Sequence, residues 1–325
     1  MNLQANNETL ITIFGGSGFL GRHLVRALAR RQYRMRIAVR RPDLAGHLQP
    51  LGRVGQIHAV QANIRNSDSV EAAVRGADVV INLVGILHES GRQRFDTVQT
   101  YGAEQAALAA SAHGARMIQI SAIGADENSP SGYARSKAMG EKAVLAAKPD
   151  AVIVRPSIMF GPEDDFFNKF GAMARMLPAL PLIGGGETKF QPAFVGDVAE
   201  AIARAADGAA KDGTIYEAGG PEVRTFKELM QYVLETTERD RFLVPLPFGL
   251  AKFAATFAQF APGKPPITPD QVELLKADNI VSAAAIGEGR TLEGLGIEPT
   301  AMSSIVPSYL WRFRKTGQFK TGRFA

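Results

Sequence analysis

The 325 residues predict an α/β fold, a doubly wound parallel sheet joined to a smaller, mainly helical C-terminal lobe. Three observations carry this. Leu10 to Phe14 is an apolar run that stops at a glycine cluster and continues into helical spacing. Strand-like runs then alternate with helical stretches, without internal repeats. Asp78 to Val84 is almost wholly apolar, as a parallel strand covered on both faces must be.

In the first element, Gly15, Gly18 and Gly21 give the spacing G-x-x-G-x-x-G, followed by Leu20, Leu24 and Leu28 at helical spacing. The first glycine turns the chain, the second lets backbone approach a pyrophosphate, and the third lets helix pack on strand. Alone the motif is weak. After a β-branched run and before a helix, it points to a nucleotide site. Met35 to Val39 is the second strand, and it ends in Arg40 and Arg41 where an NAD protein carries an acidic residue. Arginine there pairs with a 2′-phosphate, which favours NADP(H); two exposed turn arginines are the bland alternative.

Gln56 to Gln61 forms the third strand, with Asn63 beyond it at the expected adenine edge. Asp78 to Val84 is the fourth, running into Gly85, where backbone can pass close to a cofactor. A long alanine-rich helix is expected over Phe95 to His113, a fifth strand over Ala115 to Ser121 and a sixth over Ala151 to Arg155. Tyr133 and Lys137 open a helix running to about Lys148 and, four apart, share one face. An adjacent ammonium favours the phenolate of a tyrosine, so the pair suits proton transfer beside a nicotinamide.

These residues, with Arg155-Pro156, Gly161-Pro162 and Phe194-Val195-Gly196-Asp197-Val198, resemble the extended or atypical short-chain dehydrogenase/reductase family over nearly the whole chain. Tyr133 to Glu141, Arg155 to Asp165 and Phe190-Gln191-Pro192 are similar to the NADPH-binding accessory subunits of respiratory complex I and their bacterial relatives. The resemblance implies a Rossmann domain over 8–160, completed by 190–218, and a substrate or partner lobe over 161–189 and 219–325. It implies cofactor contacts from Gly15, Gly16, Ser17, Gly18, Phe19, Leu20, Gly21, Arg40, Arg41, Asn63, Ile64, Val84, Gly85, Ser121, Lys137 and Pro156. Lys137 would hold the nicotinamide ribose and Tyr133 would face the substrate side. One departure matters: the family's catalytic serine falls at Ile123, so that Ser121, or a hydroxyl outside the motif, would have to take its role. Loss of one polarising donor costs roughly a hundredfold in rate. Two functions follow as expectations. One is a cofactor-stabilised subunit or assembly factor of complex I or the quinone-biosynthesis machinery. The other is an NADP(H)-dependent reductase, epimerase or dehydratase acting through Tyr133 and Lys137.

In the second half, Phe166 to Met176 reads as a helix, Leu182 to Gly186 as a flexible loop, Asp197 to Ala206 as a helix and Gly213 to Ala218 as a strand. Over Pro245 to Pro262, Phe253, Phe257 and Phe260 repeat at helical spacing. An aromatic stripe is core by default. The flanking prolines and the basic tail, with Arg312, Arg314, Lys315, Lys320 and Arg323, make a membrane-edge or partner-docking helix its rival. The net charge of +5 is concentrated in that tail and in Arg22, Arg26, Arg30 and their neighbours, which read as a solvated face; no nucleic-acid motif accompanies it. The absence of cysteine excludes disulfides and thiolate chemistry, and the five histidines show no metal-ligand spacing. Met1 to Thr9 lacks a basic apolar leader, so a cytoplasmic protein, peripheral at the inner face of a membrane, is expected.

Overall fold

A computed structural model describes residues 6–258 and 267–317. They fall into two compact units. The first runs to Pro156 and adds Val195–Ala218 and Ser282–Glu298; the second holds Ser157–Phe194, Gly219–Val281 and the chain from Pro299. Ser282–Glu298 thus joins the first unit, although the sequence places it with the lobe.

The first unit is built on a seven-stranded parallel sheet of β1 (Leu10–Phe14), β2 (Arg34–Val39), β3 (Ile57–Gln61), β4 (Val79–Asn82), β5 (Arg116–Ile120), β6 (Val152–Pro156) and β7 (Ile215–Ala218). Its order is β7-β6-β5-β4-β1-β2-β3. The order reverses between β1 and β4, and in such sheets ligands bind at the carboxyl ends of the strands beside that switch. Ile13 lies opposite Ile37 of β2 and Ile81 of β4, all fully buried, so the register stacks β-branched residues across the centre. Helix α1 (Phe19–Arg30) buries Leu20, Leu24 and Leu28 and leaves Arg26 and Arg30 exposed, as its spacing requires.

Helix α2 (Ser67–Val74) is capped by Asn66, whose side chain accepts from Ser69 N–H. The expected helix over Phe95 to His113 is two pieces, a wide π-turn over Asp96–Tyr101 and then α3 (Gly102–Ala112). There the Gln99 carbonyl lies against Gly140 of α4 (Gly132–Ala147), so closely that a Cβ on Gly140 would overlap it. Helix α5 (Val195–Ala206) packs on α1, where Arg31 binds Glu200 at 2.5 Å and Asp207 at 2.9 Å.

The second unit has an aromatic core of Phe160, Phe167, Phe190 and Phe226 with Tyr309 and Phe313. Asp164 accepts from the Tyr309 hydroxyl and from Gly161 N–H, which ties the C-terminal turns to the loop before helix Phe166–Met176. Two expectations are corrected in this unit. Leu182 and Ile183 are buried in the strand Ala179–Ile183, paired with Phe242–Leu246, and Gly184–Gly186 is a tight turn in which the Phe248 ring covers Gly184. The helix Phe248–Ala258 packs through Ala251 and Ala255, leaving Phe253 64% and Phe257 61% exposed. The stripe is therefore not core at these two rings. Phe260, Lys320 and Arg323 lie outside the described residues.

Candidate functional site

The glycine turn sits at the carboxyl end of β1. Gly15 has φ +79°, a left-handed conformation that only glycine adopts without strain, and its carbonyl accepts from Gly18 N–H at 3.1 Å. A Cβ on Gly21 would overlap the backbone of Gly16, and one on Gly16 would lie 2.9 Å from the Ile37 side chain. Gly18 begins α1 with no side-chain cap and no acidic residue in the first turn. The helix thus presents uncapped N–H groups, the arrangement that binds a phosphate. Ser17 and Phe19 flank this opening half-buried, and Leu20 faces the core.

Arg40 is exposed just beyond β2, without an ion-pair partner among the described residues. Arg41 is engaged by Asp43 at 2.8 and 3.0 Å, an exposed contact. Asn63 follows β3, its amide donating to Ser69 and its side-chain oxygen accepting from Arg65 N–H. Ile64 is buried against Gly102.

At the far side, β4 is shorter than expected, so Leu83, Val84 and Gly85 leave the sheet. Val84 N–H donates to Asn82, Asn82 to Gln119, and Gln119 to the Ile120 carbonyl, a buried amide ladder that fixes the ends of β4 and β5. The backbone ladder continues beyond β5, with Ser121 N–H on Val154 and Ile123 N–H on the Pro156 carbonyl. The period of two therefore extends past the strand, and Ser121 shares the side that Ile123 occupies. Ile123 is buried, and the Ser121 hydroxyl is buried without a hydrogen-bond partner among the described residues.

Lys137 is 7% exposed. Its Nζ donates to the Ile120 carbonyl at 3.2 Å and lies 5.9 Å from the centre of the Tyr133 ring, itself packed edge-on against Phe95. Burial lowers the Lys137 ammonium to about 8, a change only partly offset by Glu141 one turn along the helix. Arg155 holds Glu141 bidentately at 2.8 and 2.5 Å. Tyr133, Lys137 and Ser121 are thus brought to one end of β5 and α4. Gln99, which the sequence shows only as a polar residue in an alanine-rich helix, joins them with a buried Oε1 that has no hydrogen-bond partner among the described residues. Such a cluster can hold hydroxyls, and the Tyr133 and Lys137 pair can move a proton.

This sheet, glycine turn and tyrosine–lysine helix define a class, and the sequence pattern of the NAD dependent epimerase/dehydratase family matches residues 11–219. The chain belongs to that family. It is 38% identical over 318 residues to the mitochondrial NADH dehydrogenase [ubiquinone] 1 alpha subcomplex subunit 9 of Arabidopsis thaliana, covering 94% of this chain and 78% of that one. The subunit of the same name from Rattus norvegicus is 35% identical over 295 residues, covering 90% and 77%. In fold the chain resembles DesIV, a dTDP-glucose 4,6-dehydratase of Streptomyces venezuelae solved with NAD, at a TM-score of 0.72 and 19% identity over 94% of this chain and 96% of that one.

Proposed function

We propose that the protein is an NADP(H)-binding accessory subunit or assembly factor of the respiratory NADH:quinone oxidoreductase or of the quinone-biosynthesis machinery, and that it holds its cofactor mainly for structure. The observation that carries this reading is Ile123. The glycine turn, Arg40 and Lys137 keep the means of binding a dinucleotide, while an apolar side chain stands where a carbonyl substrate needs its second donor. Likeness to complex I subunits over nine-tenths of the chain supports the same partner. The first unit would carry the cofactor and the second would be the partner lobe. Arg40 would meet the 2′-phosphate, and the nicotinamide cofactor would supply hydride chemistry if any is done. A native pull-down from solubilised membranes tests the assignment: co-purification with complex I or quinone-biosynthesis proteins is expected, and a protein that comes down alone overturns it.

The exposed Phe253 and Phe257 rings, 4.7 Å apart, with Leu250 exposed beside them on one helix, suit peripheral insertion at a membrane edge. No helix among the described residues is long and apolar enough to cross a membrane. A second reading, a reductase, epimerase or dehydratase of a small or quinone-related substrate, is favoured by one feature: Tyr133 stands intact beside Lys137.

A further inference from the structure

Three arginines of the second unit meet at the carboxyl end of the helix Phe166–Met176. Arg175 stands in its last turn, and Arg241 Nε donates to the Ala174 carbonyl at 2.8 Å. Arg239 Nε donates to the Phe313 carbonyl at 2.7 Å, which leaves both its Nη groups without a partner among the described residues. Burial, and then the charges of Arg241 and Arg175, lower the Arg239 guanidinium from its usual range, so the cations feel one another. None of the three has a carboxylate partner among the described residues: Glu238 pairs with Arg314, and Asp240 offers Arg241 only its main-chain carbonyl. The chain beside them is apolar. The strands Ala179–Ile183 and Phe242–Leu246 form a two-stranded ribbon whose inner face buries Leu180 and Leu182, while Ala179, Pro181, Phe242 and Val244 line the outer one. Phe242 is 79% exposed there, and its N–H binds the Pro178 carbonyl, which sets it beside exposed Met176 and Leu177. The same bond fixes what faces the ribbon's free edge: by alternation it is Leu243 and Pro245, and proline has no N–H. An added peptide strand would find one donor, so the edge does not suit strand pairing.

We propose that this surface is a phospholipid site: Arg175, Arg239 and Arg241 take the phosphate of an anionic headgroup from a bilayer, and the outer face of the ribbon takes the adjoining hydrocarbon. Guanidinia bind phosphate oxygens through paired N–H donors, and a cluster of basic side chains at a membrane surface selects anionic lipid. A phospholipid joins in one molecule the two chemistries that this surface sets one residue apart, at Arg241 and Phe242. An acidic peptide would answer the arginines but would leave the open apolar face uncovered, since it cannot extend the ribbon as a strand. The proposal deepens the membrane-edge reading, on which it rests for the bilayer, but it uses no residue of the helix Phe248–Ala258.

Co-sedimentation of the full chain with vesicles of phosphatidylcholine, alone or mixed with phosphatidylglycerol, tests it. The variants are Arg175→Gln, Arg239→Gln with Arg241→Gln, Phe253→Ser with Phe257→Ser, and Arg26→Gln with Arg30→Gln, which removes two exposed charges from the first unit. Each arginine at an anionic surface is worth about fivefold, so on the mixed vesicles the Arg239 and Arg241 pair should cost about twenty-five-fold and Arg175→Gln about fivefold. The Arg26 and Arg30 pair should bind within about twofold of the parent. In a Phe242→Trp protein, brominated acyl chains should quench emission beyond the loss seen in the parent, whose one tryptophan is Trp311. Should the Arg239 and Arg241 double variant fail to fold, Arg175→Gln and the Phe242→Trp protein decide. Equal losses in the two arginine pairs, or no added quenching, overturn the inference. If the serine pair releases the protein and the Arg239 and Arg241 pair does not, the inference falls and the membrane-edge reading of Phe253 and Phe257 stands; the reverse result overturns that reading alone. A parent that binds neither vesicle overturns both.

Discussion

Replacing Lys137 by methionine should make the nucleotide-free protein more stable while weakening its hold on cofactor. The ammonium is depressed from 10.5 to about 8 by burial, which at 1.36 kcal/mol per pK unit means that keeping it charged at neutral pH costs about 3 kcal/mol of folding stability. Methionine removes that charge and about 1 kcal/mol of hydrogen bond to the Ile120 carbonyl. That carbonyl is not stranded, because Gln119 Nε2 still donates to it at 2.8 Å. The net gain at pH 7 is about 2 kcal/mol. Between pH 8 and 10.5 the unfolded parent holds a proton that the folded parent has released, so the parent gains stability as pH rises through that window and the variant does not. The advantage of Lys137→Met should therefore be full below pH 8 and gone by pH 10.5. Urea unfolding of stripped parent and variant at pH 7 and 10 measures it, with other titrating groups cancelling in the difference. A variant less stable than the parent at pH 7, or a difference that does not change with pH, would refute the reasoning.

NADPH at a hundred times its dissociation constant should stabilise the protein by about 2.7 kcal/mol, and NADH at equal concentration by clearly less. Arg40→Ala should erase that preference in a thermal-shift series, and equal shifts with both cofactors in the parent would sink the 2′-phosphate assignment. Because Phe253 and Phe257 are exposed, changing both to serine should leave the melting temperature and NADPH binding unchanged while releasing the protein from vesicles that carry anionic lipid; undiminished co-sedimentation speaks against the membrane edge. Purified protein should oxidise NADPH only slowly with simple carbonyls or quinones, and rapid multiple turnover abolished by Tyr133→Phe would decide for the reductase.

What could be read from the sequence is what is local. The turn at Gly15 to Gly21 and the spacing of Leu20, Leu24 and Leu28 are dictated by neighbours within eight residues, and the strands around them followed from runs of β-branched residues. Gln99 escaped notice because its place beside Lys137 depends on Ser136 and Gly140, some forty positions on, and on a turn wider than an α-helix, for which the alanine-rich sequence has no distinctive spelling. The stripe at Phe253 and Phe257 was misleading for a different reason: periodicity identifies the faces of a helix but not which of them has a neighbour, and here two alanines made the closer fit. The attachment of Ser282–Glu298 to the first unit rests on Arg204 and Arg290 donating to distant backbone carbonyls, contacts that leave no pattern along the chain.

That last attachment bears on how the protein can be made. The chain passes between the units after Pro156, Phe194, Ala218, Val281 and Glu298. While residues beyond Val281 are still inside the ribosome, the carboxylate of Glu217 has no Ser282 amide to accept, and Arg204 has no carbonyls at Leu295 and Gly296 to clasp. Maturation of the first unit therefore waits until the chain through Glu298 has been made, so a cell that lets translation stall before that point accumulates a sheet with its β7 margin unfinished, a form suited to chaperone capture and to proteolysis.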